Sequence, residues 1–145
     1  MTDRLAADLA ALEFANDAFY QAFAAADLSA MEAVWAAQAN VYCCHPGWPP
    51  ITNRDEVMAS WRDILANAGP VPIVCAAPRP TLYGDVGLVC CYERFGNQHF
   101  VATNLFIRAD GRPGTPWRMI HHHAGPLARV PEGVAVEAED QPSRH

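Results

Sequence analysis

The 145-residue chain contains no lysine; all ten of its basic residues are arginine. Schiff-base chemistry and general-base chemistry on a lysine amine are therefore excluded. The arginines are scattered and the formal net charge is −6. Nucleic acid and anionic membrane surfaces are held by concentrated basic patches, so neither is an expected partner. No apolar run reaches the roughly 18 residues of a membrane span. The opening Met1-Thr2-Asp3-Arg4-Leu5 lacks the basic-then-apolar order of a secretory signal. A cytoplasmic location is the expectation. C-x-x-C spacing is also missing, although there are five cysteines. Thioredoxin-type and zinc-ribbon chemistry are set aside on that ground. Cys43-Cys44 and Cys90-Cys91 are adjacent pairs, which point to opposite faces of a strand. The cysteines read as reduced, mostly buried small hydrophobes.

What is present describes one globular domain. Hydrophobic residues make up 51% and charged residues 18%, enough for a single core. Leu5, Leu9, Leu12, Phe19 and Phe23 fall at helical spacing and predict a long helix over 3–26, with Asp3 as its cap. Ser29-Ala30-Met31-Glu32 has the form of a capping box opening a shorter helix to about Ala37. A strand is expected over 40–44. Asn53-Arg54-Asp55-Glu56 resembles a second capping box, and Gly69-Pro70 would stop the helix it opens. From Val71 the period falls to two. Strands are expected over 71–77, from Leu82 through Phe95, over 98–109 and over 117–123, with turns at Gly84-Asp85, at Gly96-Asn97 and over 110–114. Helices followed by an antiparallel meander make an α+β domain over residues 1–126, followed by an acidic, Pro-containing tail over 127–145. The strands are apolar on both faces. Three helices can cover one face, and a second subunit is the economical cover for the other, so a homodimer is expected.

The most informative stretch is His45-Pro46-Gly47-Trp48-Pro49-Pro50, between the first strand and the third helix. Proline removes backbone donors and holds its predecessors extended, so this can be neither helix nor ladder strand. It holds a histidine and a tryptophan on a stiff loop, which suits a pocket rim.

This order of elements resembles the nuclear transport factor 2-like superfamily, and within it the SnoaL-like proteins. The resemblance rests on Ala26-Asp27-Leu28-Ser29-Ala30-Met31, on His45-Pro46-Gly47-Trp48 and on Ser60-Trp61. It also rests on Thr103-Asn104-Leu105-Phe106 and on Trp117-Arg118-Met119-Ile120-His121-His122-His123-Ala124-Gly125. It implies a cone: three N-terminal helices in a strongly curved, mixed but mainly antiparallel sheet, with a pocket inside. Ketosteroid isomerases share the pattern His45-Pro46 and Pro49-Pro50-Ile51, with an Asp where this chain has His45. Their catalytic Tyr falls at Phe19 and their second Asp near Asn104 or Leu105. All three positions depart from that pattern. The association domain of calcium/calmodulin-dependent protein kinase II is similar at the last strand.

Two readings follow. In the first, the pocket takes a small hydrophobic or aromatic molecule for a cofactor-free isomerisation, cyclisation or dehydration. His45 would be the acid/base, since an imidazole titrates near neutrality. Asn104, His121 or His123 would polarise the substrate. Asn104 either orients His121 or His123 across the sheet or faces the ligand. Tyr20, Tyr42, Trp48, Trp61 and Tyr92 would line the site, Trp61 also reading as plain core. His45, His121 and His123 could form a zinc set, but no carboxylate is placed to orient them, so no metal and no cofactor are expected. In the second reading the chain is a non-catalytic ligand-binding or oligomerisation module.

Overall fold

The computed structural model describes residues 2–134. Helix α1 (Asp3–Ala25) begins at Thr2, whose hydroxyl accepts from the Leu5 amide at 3.1 Å. The cap is thus one residue earlier than Asp3. Leu12, Asn16, Phe19, Tyr20 and Ala22 form its buried stripe. Its close approach to the sheet needs Gly87, where a Cβ would sit 2.6 Å from Leu12 Cδ1.

Helix α2 (Leu28–Val34) is capped by Asp27, which accepts from the Ala30 amide at 3.0 Å. The expected cap at Ser29 is therefore displaced by two residues. A carboxylate one position before the helix reaches the third-residue amide, and Ser29 is already helical. The end of α2 is closed from outside the helix. Arg54 donates to the carbonyls of Glu32, Trp35 and Ala36 at 3.0–3.1 Å. Helix α3 (Arg54–Ala68) opens at Asn53 with the reciprocal bonds expected: Asn53 Oδ1 accepts from the Glu56 amide, and Asn53 Nδ2 donates to Glu56 Oε2. It stops at Gly69, φ 65°.

The strands are β1 (Tyr42–Cys44), β2 (Ile73–Tyr83), β3 (Val86–Phe95), β4 (Gln98–Arg108) and β5 (Trp117–Pro126). They form one sheet in the order β1-β5-β4-β3-β2. Among the described strands β1 lies parallel to its neighbour, β5, and the other pairs are antiparallel. The gap expected between the strand ending at 77 and the one opening at Leu82 is not there: β2 runs through Pro78-Arg79-Pro80. β2 is an edge strand, where proline costs no ladder bond, and a bulge between Ala76 and Arg79 puts Ala77 at φ 52°. The helices pack on one face of the sheet. Part of the expected tail is joined to the domain: the Leu127 amide donates to His99 O at 3.0 Å, and Val134 is buried. The remainder, 135–145, lies outside the described residues.

Arg54→Ala should strip the carbonyls at the end of α2 of their donor and cost about 1–3 kcal/mol in urea unfolding. Lysine should recover little, because one ammonium cannot span three carbonyls as a planar fork does. Unchanged stability of Arg54→Ala would show that α2 closes without it.

Candidate functional site

The rim loop is built locally. The Trp48 amide donates to His45 O at 2.9 Å, with Pro46 second and Gly47 third in the turn at φ 82°. That is a type II turn, which needs glycine at the third position. Cys43 and Ile51 exchange both backbone bonds at 2.8–2.9 Å and fasten the loop at its base. His45 is thereby folded under its own loop and is only 4% exposed. The Trp48 ring stands edge-on to the imidazole at 4.8 Å, and the Trp61 ring does so from α3 at the same distance.

His45 Nε2 lies 3.0 Å from Ser60 Oγ, and Ser60 Oγ donates to Val57 O at 2.7 Å. A hydroxyl has one proton. Ser60 spends it on Val57, so it can only accept from His45. The imidazole therefore carries its proton on Nε2 and keeps Nδ1 as the basic atom. Cys43 Sγ lies 3.6 Å from Nε2 and 3.9 Å from Nδ1.

A second polar group lies on the helix-covered face of the sheet. His122 Nδ1 donates to Asn104 Oδ1 at 2.7 Å. Asn104 Nδ2 donates to Asn16 Oδ1 at 2.8 Å and to the Tyr20 hydroxyl at 3.2 Å. Tyr20 donates to Glu93 Oε2 at 2.6 Å, with Cys91 Sγ 3.2 Å away. All of these residues are buried. The two groups meet through aromatic rings: Phe19 is 4.7 Å from His122 and 5.5 Å from Trp61, and Trp61 is 6.1 Å from His122.

The histidine that enters this network is His122, and a bulge decides it. Leu105 pairs with His121 but Phe106 pairs with Met119, leaving Ile120 as an extra residue. Strict alternation from the buried Trp117 and Met119 would turn His121 and His123 inward. The extra residue reverses the parity, so His122 and Ala124 are buried. His121 and His123 lie on the outer face with Tyr42, whose ring stacks on His121 at 4.8 Å. Asn104 is held by His122, so neither of the two histidines expected to pair with it does so. Tyr92 alternates with the buried Cys91 and Glu93 and also faces outward.

Of the residues picked from the sequence, the fold brings His45, Trp48 and Trp61 together around the rim. Tyr20 and Asn104 are joined in the network. His121, His123, Tyr42 and Tyr92 stand on the other face. Asn16, Ser60, Glu93 and His122 were missed. Asn16 stands at helical spacing with Leu12, Phe19 and Tyr20, and Ser60 with Val57 and Trp61, so both were available to periodicity. Glu93 shares its strand parity with Val89 and Cys91. Among the described residues no three His, Cys, Asp or Glu side chains come close enough to hold a metal ion.

Burial sets the charges. His45 is pushed down from 6.5 to about 4 by desolvation. His122 is pushed down to about 3, first by desolvation and then by the neighbouring histidines. Glu93 is raised from 4.5 to about 7 by desolvation, against the opposing hydrogen bond from Tyr20. At neutral pH both imidazoles are uncharged. A concavity of about 850 Å³ is also present, but it runs along another flank of α1 and none of these groups lines it.

The pH dependence of stability has opposite signs for the two kinds of group. A depressed histidine stabilises the fold above its ordinary pKa and loses that contribution as pH falls from 6.5 toward 4. A raised carboxyl stabilises below 4.5 and loses its contribution as pH rises toward 7. Glu93→Gln, which still accepts from Tyr20, should therefore gain on the parent chain across that second window. The gain should be of order 2–3 kcal/mol by pH 8. Urea midpoints of both proteins at pH 5, 6, 7 and 8 test this; a constant difference would mean that Glu93 does not titrate there.

Solved structures similar to this chain share the architecture. A candidate dehydratase of the nuclear transport factor 2-like family from Streptomyces avermitilis is 29% identical with a TM-score of 0.76, covering 85% of this chain and 98% of its own. A candidate calcium/calmodulin-dependent protein kinase type II association domain from Thiobacillus denitrificans is 35% identical with a TM-score of 0.64, covering 79% and 94%. A candidate ketosteroid isomerase from Shewanella frigidimarina, 18% identical over 79% and 94% with a TM-score of 0.65, is alike in fold alone. No curated protein sequence matches. The SnoaL-like domain model matches residues 12–129, and the chain belongs to that family.

Proposed function

We propose that the protein binds a small neutral organic molecule on the helix-covered face of its sheet and catalyses a cofactor-free proton transfer there, of the kind that drives isomerisation or dehydration. His45 carries this reading. It is neutral, its tautomer is fixed by Ser60, and its basic nitrogen is left without a strong partner. A base must be unprotonated to act, and a pKa near 4 keeps it so at neutral pH. Trp48 is 44% exposed and covers the imidazole, so substrate reaches the ring only when that indole moves aside. Asn104, His122 and Tyr20 spend their donor protons within the network, so a developing oxyanion would be stabilised there only by replacing one of those internal acceptors. The outward-facing His121 and His123 take no part in this scheme. The similarity to a candidate dehydratase favours the same reaction class.

A homodimer through the outer face of the sheet is part of the proposal. That face carries Leu88, Leu105 and Ile107 half-buried, Val101 40% exposed, and the Tyr42–His121 stack, and it lies opposite the face that α1 covers. The second reading, a non-catalytic association module, is favoured by the 35% identity to a candidate association domain.

Hydrogen–deuterium exchange of cyclic ketones in heavy water, followed by NMR, separates the two. The chain should accelerate exchange, with an acid limb falling through the His45 pKa. His45→Gln should lower the rate about 10²–10⁴-fold while remaining folded, and Trp48→Ala should bind substrate faster. Exchange undiminished in His45→Gln would remove the base. Absence of exchange together with assembly beyond a dimer would favour the association module. For the dimer, Val101→Arg should give a monomer in sedimentation equilibrium, and an unchanged mass would place the contact elsewhere.

A further inference from the structure

The concavity of about 850 Å³ on the flank of α1 is separate from the histidines. One wall is α1, where Ala7, Ala11, Ala15, Ala18, Ala22 and Ala25 follow the helix for about 27 Å at 1.5 Å per residue. Ala30, Ala33 and Val34 of α2 face it, and Thr115-Pro116-Trp117 close one end. Its size and mainly apolar lining are those of a small-molecule site.

The closed end carries the charge. Arg108 is 8% exposed and lies 3.8 Å over the Trp117 ring. Its Nη2 meets Asp8 Oδ1 at 3.0 Å and its Nη1 donates to Thr115 O at 3.3 Å. A guanidinium offers five N–H donors in a fork suited to two oxygens, and Asp8 uses only one of its own. Arg118 lines the same end and has no ion-pair partner among the described residues. Two arginines against Asp8 leave that end positive. Asp27, the other acid in the lining, is committed to capping α2. Glu32 lines a neighbouring concavity, of which Arg108 and Arg118 also form part.

We propose that this groove is a binding site for an apolar carboxylate, an acid whose head sits on Arg108 and whose hydrocarbon tail lies along the alanine wall. The charge at one end and the apolar length beyond it specify both parts of the ligand. The site is independent of the proton-transfer reading, because it shares no residue with it.

Calorimetric titration of the full chain with hexanoate, octanoate and decanoate at low ionic strength tests this. Kd should fall about three- to fourfold for each added methylene. Asp8→Asn should tighten decanoate several-fold, and Arg108→Gln should weaken it at least tenfold. Because Arg108 is buried, Ala11→Trp supplies a variant at an exposed position: it fills the groove and should abolish binding in a folded protein. His45→Ala should bind decanoate as the parent does. Equal affinity for decanol, no dependence on chain length, or binding that survives Ala11→Trp would overturn the proposal. So would binding lost in His45→Ala, which would move the acid to the histidines. A dimer broken by Ala11→Trp would name a second copy as the occupant and overturn it equally.

Discussion

The hydrogen bond between His122 and Asn104 depends on one extra residue in β5. Without Ile120 out of register, His121 and His123 would enter the helix-covered face and His122 would leave it. Asn104 would then lose its 2.7 Å partner, and its Oδ1 would be buried without a donor. That loss would spread, because Asn104 also fixes Asn16 and Tyr20, and Tyr20 fixes Glu93. An unsatisfied buried amide costs about 1–3 kcal/mol, a large share of the stability of a domain this size. The bulge is therefore best read as a device that aims one side chain, as bulges beside functional sites often are.

The network and the rim beside it carry little charge at neutral pH, Glu93 being about half ionised there. Two imidazoles are held well below their ordinary range, and a carboxyl is held above its own. No lysine and no arginine enters this part of the core. Such an interior suits a ligand that is itself neutral, since an anion would find no countercharge and would bear its full desolvation cost. The two arginines of the α1 groove make the complementary environment, so the two proposed sites would favour opposite kinds of molecule.

The legible parts of the fold were those settled within a few residues. Asn53 announces α3 because the cap and its partner Glu56 are three apart. The His45–Trp48 turn is readable because proline fixes φ and glycine alone takes a positive φ at no steric cost. Gly69 ends a helix for the same reason. What stayed hidden depends on pairing partners. Whether proline can sit in β2 turns on its being an edge strand, which no local pattern states. Which histidine enters the core turns on a register shift that appears only when β4 and β5 are laid side by side. Half the site was therefore legible: His45, Trp48 and Trp61 from the rim, and Asn104 and Tyr20 from the network. His122 and Glu93 followed only from the assembled sheet.

Helix α1 shows how one element can serve two regions. Its heavy side chains, Leu12, Phe19 and Tyr20, go to the sheet, and Asn16 goes with them because Asn104 supplies a partner. Of the alanines along the groove, Ala22 is buried in the core, Ala15 and Ala18 pack against it, and a single methyl at each adds little to the fold. They do, however, keep the flank low enough for the groove to exist between α1 and α2. A larger residue at the exposed Ala11 would fill that space without displacing the buried stripe. Stability alone gives no reason to leave it open above a buried arginine, and that is the physical ground for assigning the groove a ligand.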